Sequence, residues 1–236
     1  MRLLLFDIDG TLLSARGAGR RAVKAALERV YGTVGALDRY DLGGKTDQRI
    51  VFDVLEPEGF SREAVRERLD DFFEAYARGL VEEIGDGRNI ATLPGVVSLI
   101  ERLHGTDGTL LGLLTGNIEE GARIKLTPTG LWSYFSVGAF GSDDVDRRRL
   151  PSLAARRAHA LMGYAFRPEE VLVIGDTPLD IDCARAFGAV AVAVATGFHS
   201  RADLLHHGPD LLFDDLSDVD HVVDALLSFG RTDPAS

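Results

Sequence analysis

The stretch Leu3-Leu4-Leu5-Phe6-Asp7-Ile8-Asp9-Gly10-Thr11 constrains this chain more than any other. An apolar run without polar alternation suits a strand buried on both faces, the kind found in parallel sheets covered by helices. It stops abruptly at two carboxylates, a glycine and a threonine. In an open α/β sheet, ligands bind beyond the carboxyl ends of the strands, where Asp7 and Asp9 are expected. Alternation along an extended chain points both carboxylates to one side and Ile8 to the other. At roughly 4 Å two such charges repel by about 4 kcal/mol at an effective dielectric near ~20, so a cation or a shared proton is needed there. Asp-Gly is also an ordinary turn signal, so a functional reading depends on what the rest of the chain brings to the same place.

At 236 residues, 45% of them hydrophobic, the chain can bury one large core, with or without a smaller inserted domain. The formal net charge of -11 disfavours phosphate-backbone binding, so no nucleic-acid partner is expected. The lone Cys183 excludes an intrachain disulfide framework, fits a reducing compartment and is expected to pack in the core or on a helix. No apolar stretch approaches the ~18 residues needed to span a membrane, and the apolar start is too short for a signal peptide. A cytoplasmic protein without a membrane partner is the expectation, as a monomer or a homodimer.

Beyond Thr11 the period changes. Ala22, Val23, Ala26, Leu27 and Val30 recur at helical spacing, predicting an amphipathic helix over 18–31. Further helices are expected from about Thr46 to Leu55 and from Ser61, a good N-cap, to about Ile84. No strand-like run separates them, so residues 14–92 read as an all-helical insertion. From Leu93 the alternation of helix and strand returns: a helix over 96–103, strands at 110–114, 137–140, 171–174, 189–194 and 211–213, and helices between and after them. The fold class expected is α/β, a Rossmann-like parallel sheet with an inserted all-helical cap domain. The core is expected to comprise 1–13 and 93–230, with 231–236 a tail whose Asp-Pro-Ala-Ser end frays.

Three expected strands thus end in polar residues at one sheet edge: Asp7 and Asp9, then Thr115-Gly116-Asn117, then Gly175-Asp176 through Asp180. This set resembles the haloacid dehalogenase superfamily of aspartate-dependent phosphohydrolases. Asp7 to Thr11 matches its first motif, Thr115 its second and Gly175 to Asp180 its acidic fourth, with 14–92 similar to the helical cap of some members. The resemblance implies that Asp7 attacks phosphorus to form an aspartyl-phosphate. It implies a cation, Mg²⁺ foremost, on Asp7, the Asp9 carbonyl and Asp176. Asp9 would exchange protons with the leaving oxygen and water, and Thr115 with the Gly116 and Asn117 amides would hold phosphoryl oxygens. Asp180 would act behind these groups, through water to the metal or by orienting a cation.

The superfamily's third motif usually supplies a lysine, and here its place holds Asp146-Arg147-Arg148-Arg149. A guanidinium can meet a phosphoryl oxygen and a carboxylate together, which makes Arg147, with Arg148 next, the expected substitute. Gly43-Gly44-Lys45-Thr46-Asp47 and Leu93-Pro94-Gly95-Val96 look most like phosphoglycolate-phosphatase-type members, implying a small phosphorylated metabolite as substrate. Arg16, Arg20 and Lys45 could face an anionic substrate from the cap or simply be solvated. His206-His207 lacks metal-ligand spacing and reads as a surface pair. A phosphomutase of the β-phosphoglucomutase kind and a catalytically degenerate binding module are the alternative functions.

Overall fold

The protein is described here by a computed structural model covering residues 1–230; the expected tail, 231–236, lies outside the described residues. Strand β1 (Arg2–Phe6) leads to β2 (Leu13–Ser14) and then to α1 (Ala18–Tyr31), α2 (Asp47–Leu55), α3 (Arg62–Arg66) and α4 (Leu69–Ile84). After β3 (Ala91–Thr92) come α5 (Val96–His104), β4 (Thr109–Leu114), α6 (Glu119–Leu126) and β5 (Val137–Ala139). The chain continues through α7 (Leu150–Met162), β6 (Val171–Gly175), α8 (Pro178–Phe187) and β7 (Val190–Val194). It closes with α9 (Arg201–His206), β8 (Leu211–Phe213) and α10 (Val219–Ser228).

Six strands form one parallel sheet in the order β5-β4-β1-β6-β7-β8, as expected of an α/β fold. Because alternate strand residues face opposite sides, successive side chains of β1 enter different cores. Leu4 and Phe6 belong to the buried cluster that includes residues of α5 and α10, whereas Leu3 and Leu5 belong to the one that includes residues of α7 and α8. All four are fully buried, each contributing roughly 2 kcal/mol of transfer free energy. Truncation such as Leu4→Ala would cost about 2–5 kcal/mol. The chain extends outward from β1 to β4 and β5, then crosses back to β6 on the other side of β1. That reversal opens a crevice at the carboxyl end of β1.

Two features of 14–92 differ from the expectation. The helix expected from 61 to 84 is broken into α3 and α4: Ser61 caps the first by accepting from the Ala64 amide, but Arg68 (φ −118°, ψ 10°) leaves helical geometry. Its guanidinium lies 5.2 Å from the centre of the Tyr31 ring. The segment also carries short pairing strands at its two ends, where Leu13 and Ser14 meet Thr92 and Ala91 in antiparallel register. Two-residue strands give no readable alternation, so periodicity could not find them. Among the described residues, no helix is long and apolar enough to cross a membrane.

Candidate active site

The carboxyl ends of β1, β4 and β6 converge on the floor of a cavity of about 890 Å³. Asp7 follows β1 directly, its amide donating to the Ile174 carbonyl at 2.9 Å, so its backbone is fixed by the neighbouring strand. Asp176 follows β6, and its Oδ1 accepts from the Thr11 hydroxyl at 3.1 Å. Gly10 has φ +86°, and a Cβ there would lie 2.4 Å from Asp176 Oδ2, so only glycine lets the first loop pass this carboxylate. Asp180, in the first turn of α8, closes a reciprocal cap: its Oδ2 accepts from the Thr177 amide at 3.0 Å and hydroxyl at 2.7 Å.

Asp7, Asp176 and Asp180 bring one carboxylate oxygen each within 4.8 Å of one another. Such a cluster needs positive charge, and Arg147 supplies part of it. Its Nη2 lies 2.5 Å from Asp180 Oδ1 and 3.2 Å from Asp7 Oδ1, with all three side chains buried. Nη1 donates at 3.0 Å to the Gly44 carbonyl, tying the floor to the loop before α2. Burial works against the guanidinium charge, but Asp180 and Asp7 outweigh it and hold the group protonated. Burial pushes Asp7 above the ordinary carboxylate range, opposed by Arg147 and reinforced by Asp180 and Asp9. Burial likewise raises Asp176, with Asp7 and Asp180 adding to it.

This donor set fits a divalent cation. Buried carboxylate oxygens are hard ligands of the class that holds Mg²⁺, Mn²⁺ or Ca²⁺, and three buried carboxylates beside one guanidinium leave the corner short of positive charge. Asp180 has both oxygens engaged by Arg147 and Thr177, whereas Asp176 Oδ2 accepts no hydrogen bond among the described residues. Asp7 and Asp176 are therefore the carboxylates with capacity for an ion.

The structure does not bring Arg148 to this corner. Its guanidinium turns outward to Asp146, with Nε to Oδ1 and Nη2 to Oδ2 both at 3.0 Å. The one-turn 3-10 helix 147–149 explains the choice, because three successive arginines leave it in different directions and only Arg147 faces inward. Cys183, buried as expected, donates from Sγ to the Arg147 carbonyl at 3.1 Å. Thr115 and Asn117 are buried beside the floor, where the Asn117 amide nitrogen donates to Thr115 Oγ1 at 2.8 Å. A Cβ on Gly116 would lie 2.0 Å from the Lys45 carbonyl oxygen, so the 43–47 loop rests directly on the second motif.

Asp9 sits apart from the acidic corner. Its Oδ2 accepts from Lys125 Nζ at 2.6 Å and from the Asn117 amide at 2.9 Å. Lys125 and Asp47 are buried charged residues; the sequence shows no sign of the first and offers the second within the Gly43–Asp47 run without a role. Asp47 accepts from the Ile118 amide at 2.8 Å, capping α6 from a distant part of the chain. Burial pushes it up to about 7, against the pull of Lys125. The available signal was register: Lys125 falls on the stripe of α6 shared by the buried Ala122 and Leu126, and Asp47 on that of Ile50, Val51 and Val54.

Of the cations considered for the opposite wall, Arg20 is engaged by the Leu37 and Tyr40 carbonyls at 2.8 and 2.7 Å. Lys45 donates to the Asp41 carbonyl at 2.5 Å and lies 4.6 Å from the Tyr40 ring centre. The Arg16 side chain faces the cavity with no partner among the described residues. His206 and His207 lie outside the cavity lining, their rings edge to face 5.9 Å apart.

A doubly wound parallel sheet with an acidic crevice at its switch point defines the Rossmann-like α/β class, and the comparisons narrow it. The haloacid dehalogenase-like hydrolase family model matches residues 4–194, and the chain belongs to that family. It is 29% identical over 232 residues to the phosphoglycolate phosphatase of Synechococcus elongatus, covering 96% of this chain and 99% of that one. It is 28% identical to the probable phosphatase IndB of Dickeya dadantii, covering 98% and 96% of the two chains. Among solved structures, a hydrolase from Pseudomonas syringae superposes with a TM-score of 0.70 at 23% identity, covering 95% of this chain and 98% of the other. The fold is thus that of the family, and the chain is phosphoglycolate-phosphatase-like.

Proposed function

We propose that this chain is a Mg²⁺-dependent phosphatase that hydrolyses a small phosphomonoester, of the phosphoglycolate or sugar-phosphate kind, through an aspartyl-phosphate on Asp7. The observation that carries the reading is the meeting of Asp7, Asp176, Asp180 and Arg147 on the floor of a cavity. Similarity to proteins named phosphoglycolate phosphatase and probable phosphatase supports the choice of ester. The core would comprise 1–13 and 93–230, with 14–92 as a helical cap over the cavity.

Asp7 and Asp176, with the Asp9 carbonyl, would hold the ion. When bound, it neutralises the crowded charge and draws electron density from the phosphoryl group. Arg147 holds Asp7 Oδ1, leaving the other carboxylate oxygen to attack phosphorus at a fixed angle. The bond from phosphorus to the ester oxygen breaks as the Asp7 bond forms, and Asp9 gives its proton to the departing oxygen. Asp9 then takes a proton from the water that attacks the acyl-phosphate, restoring both carboxyl groups and releasing phosphate. Thr115 and the amides of Gly116 and Asn117 would bind the phosphoryl oxygens.

The test is phosphate release from a panel of small phosphomonoesters, including 2-phosphoglycolate and hexose phosphates, with Mg²⁺ or Mn²⁺ and with chelator. Metal-dependent release from several esters is expected. No release from any ester would overturn the reading, and isomerised sugar phosphate without free phosphate would transfer it to a mutase.

A further inference from the structure

The reaction described above gives no task to Lys125, although it is among the most costly residues to place where it is. Its side chain is 3% exposed, and a buried ammonium is tolerated only when paired and hydrogen-bonded. Its pairing is specific. Nζ donates at 2.6 Å to Asp9 Oδ2 and at 2.6 Å to Asn117 Oδ1, while the Asn117 amide nitrogen donates to the same Asp9 oxygen and to Thr115 Oγ1. Asn117 is thereby locked with its oxygen toward Lys125 and its nitrogen toward Asp9. Two donors on one oxygen fix the plane of the Asp9 carboxyl group as well as its position. Among the described residues, Asp9 Oδ1 accepts no hydrogen bond.

The anchor itself is rigid. Lys125 lies in the last turn of α6, and that helix is seated on α4: a Cβ on Gly121 would lie 3.3 Å from Leu80 Cδ1 and 3.6 Å from the Tyr76 ring. The other end of α6 is capped by Asp47. A side chain on so fixed a helix holds its partner more tightly than one on a loop.

We infer that Lys125 is a positioning residue for proton transfer: with Asn117 it clamps Asp9 Oδ2 and presents Oδ1 to the oxygen that leaves phosphorus. This rests on the phosphatase reading and adds to it the group that orients the acid. A misplaced acid matters only where the leaving group needs a proton. Lys125 would then count heavily for alkyl esters and little for esters whose phenolate departs unaided.

The test compares wild type with Lys125→Met on an alkyl phosphate and on 2,4-dinitrophenyl phosphate, reading kcat/KM, which includes steps only up to leaving-group departure. A loss of about 100-fold is expected on the alkyl ester and of less than about five-fold on the activated one. Because Lys125 acts through Asp9, adding Lys125→Met to Asp9→Asn should cost less than about three-fold more on the alkyl ester. Equal losses on the two esters would overturn the inference, because a structural or substrate-binding lysine affects both alike. Lys125→Gln, which keeps one donor, gives the same ratio test with a smaller loss if the methionine variant is insoluble. A wild type that hydrolyses neither ester overturns the phosphatase reading itself, whereas an active wild type with equal losses overturns the inference alone.

Discussion

The acidic corner of the cavity is built from strand ends, whereas the clamp on Asp9 is built from side chains that reach in from helices. On the floor, Asp7 and Asp176 follow adjacent parallel strands whose register is set by β1 and β6, with Phe6 opposite Ile174. Sheet pairing alone brings those backbones together. At that clamp, Asp9 is held by Lys125 from α6, and α6 is capped by Asp47 from a segment 71 residues away in sequence. There the geometry depends on how helices rotate against one another. The acidic corner concentrates negative charge around one guanidinium, whereas Asp9 meets Lys125 one to one.

That contrast can be broken most severely at Asp7. Asp7→Asn should lower phosphate release by at least about 10⁴-fold, since the nucleophile proposed above is lost, while thermal melting shows a folded protein. Retained turnover would remove the floor from the chemistry. Next in size is Arg147→Met, which leaves Asp7 and Asp180 without their cation. With all three side chains buried, about 3–5 kcal/mol of stability should be lost, measured by denaturant unfolding. Arg147→Lys should retain most of it, because an ammonium keeps the charge but not the bond to the Gly44 carbonyl.

A smaller effect is read by pH. Burial raises Asp7, Asp176 and Asp47 in the folded protein, Asp47 to about 7, so between roughly pH 4 and pH 7 the folded state binds more protons than the unfolded chain. Stability of the metal-free protein should therefore fall as pH rises through that window. A divalent ion replaces the proton on the floor, so added Mg²⁺ should raise Tm by about 5 °C at pH 8 and by less at pH 5.5. A Tm that rises with pH in chelator and ignores Mg²⁺ would contradict the charge balance assigned to the floor. The smallest effect belongs to Arg148→Ala: among the described residues this exposed guanidinium hydrogen-bonds Asp146 alone, and activity should change by less than about two-fold.

The same contrast explains what could be read from the sequence. Asp7, Thr115 and Asp176 each close an unbroken apolar run, and the rule that parallel strands present their carboxyl ends to one edge was enough to bring them together. The position of Arg147 was legible as a cation between the second and fourth motifs, but its choice over Arg148 depended on the direction of a single helical turn. Lys125 and Asp47 were hidden because a charged residue within an amphipathic helix reads as solvated until its neighbours in space are known. The break at Arg68 and the two-residue strands at 13–14 and 91–92 lie below the length at which periodicity carries information.

The central claim is that Asp7 carries the phosphoryl group between ester and water. It is tested most directly by mixing enzyme with a turned-over phosphomonoester, quenching in acid within one turnover and mapping phosphorylated peptides by mass spectrometry. The account predicts a phosphoryl group on Asp7 that is released by hydroxylamine and absent from Asp7→Asn. Product formation with no phosphorylated aspartate at any time, or with the group on another residue, would contradict it.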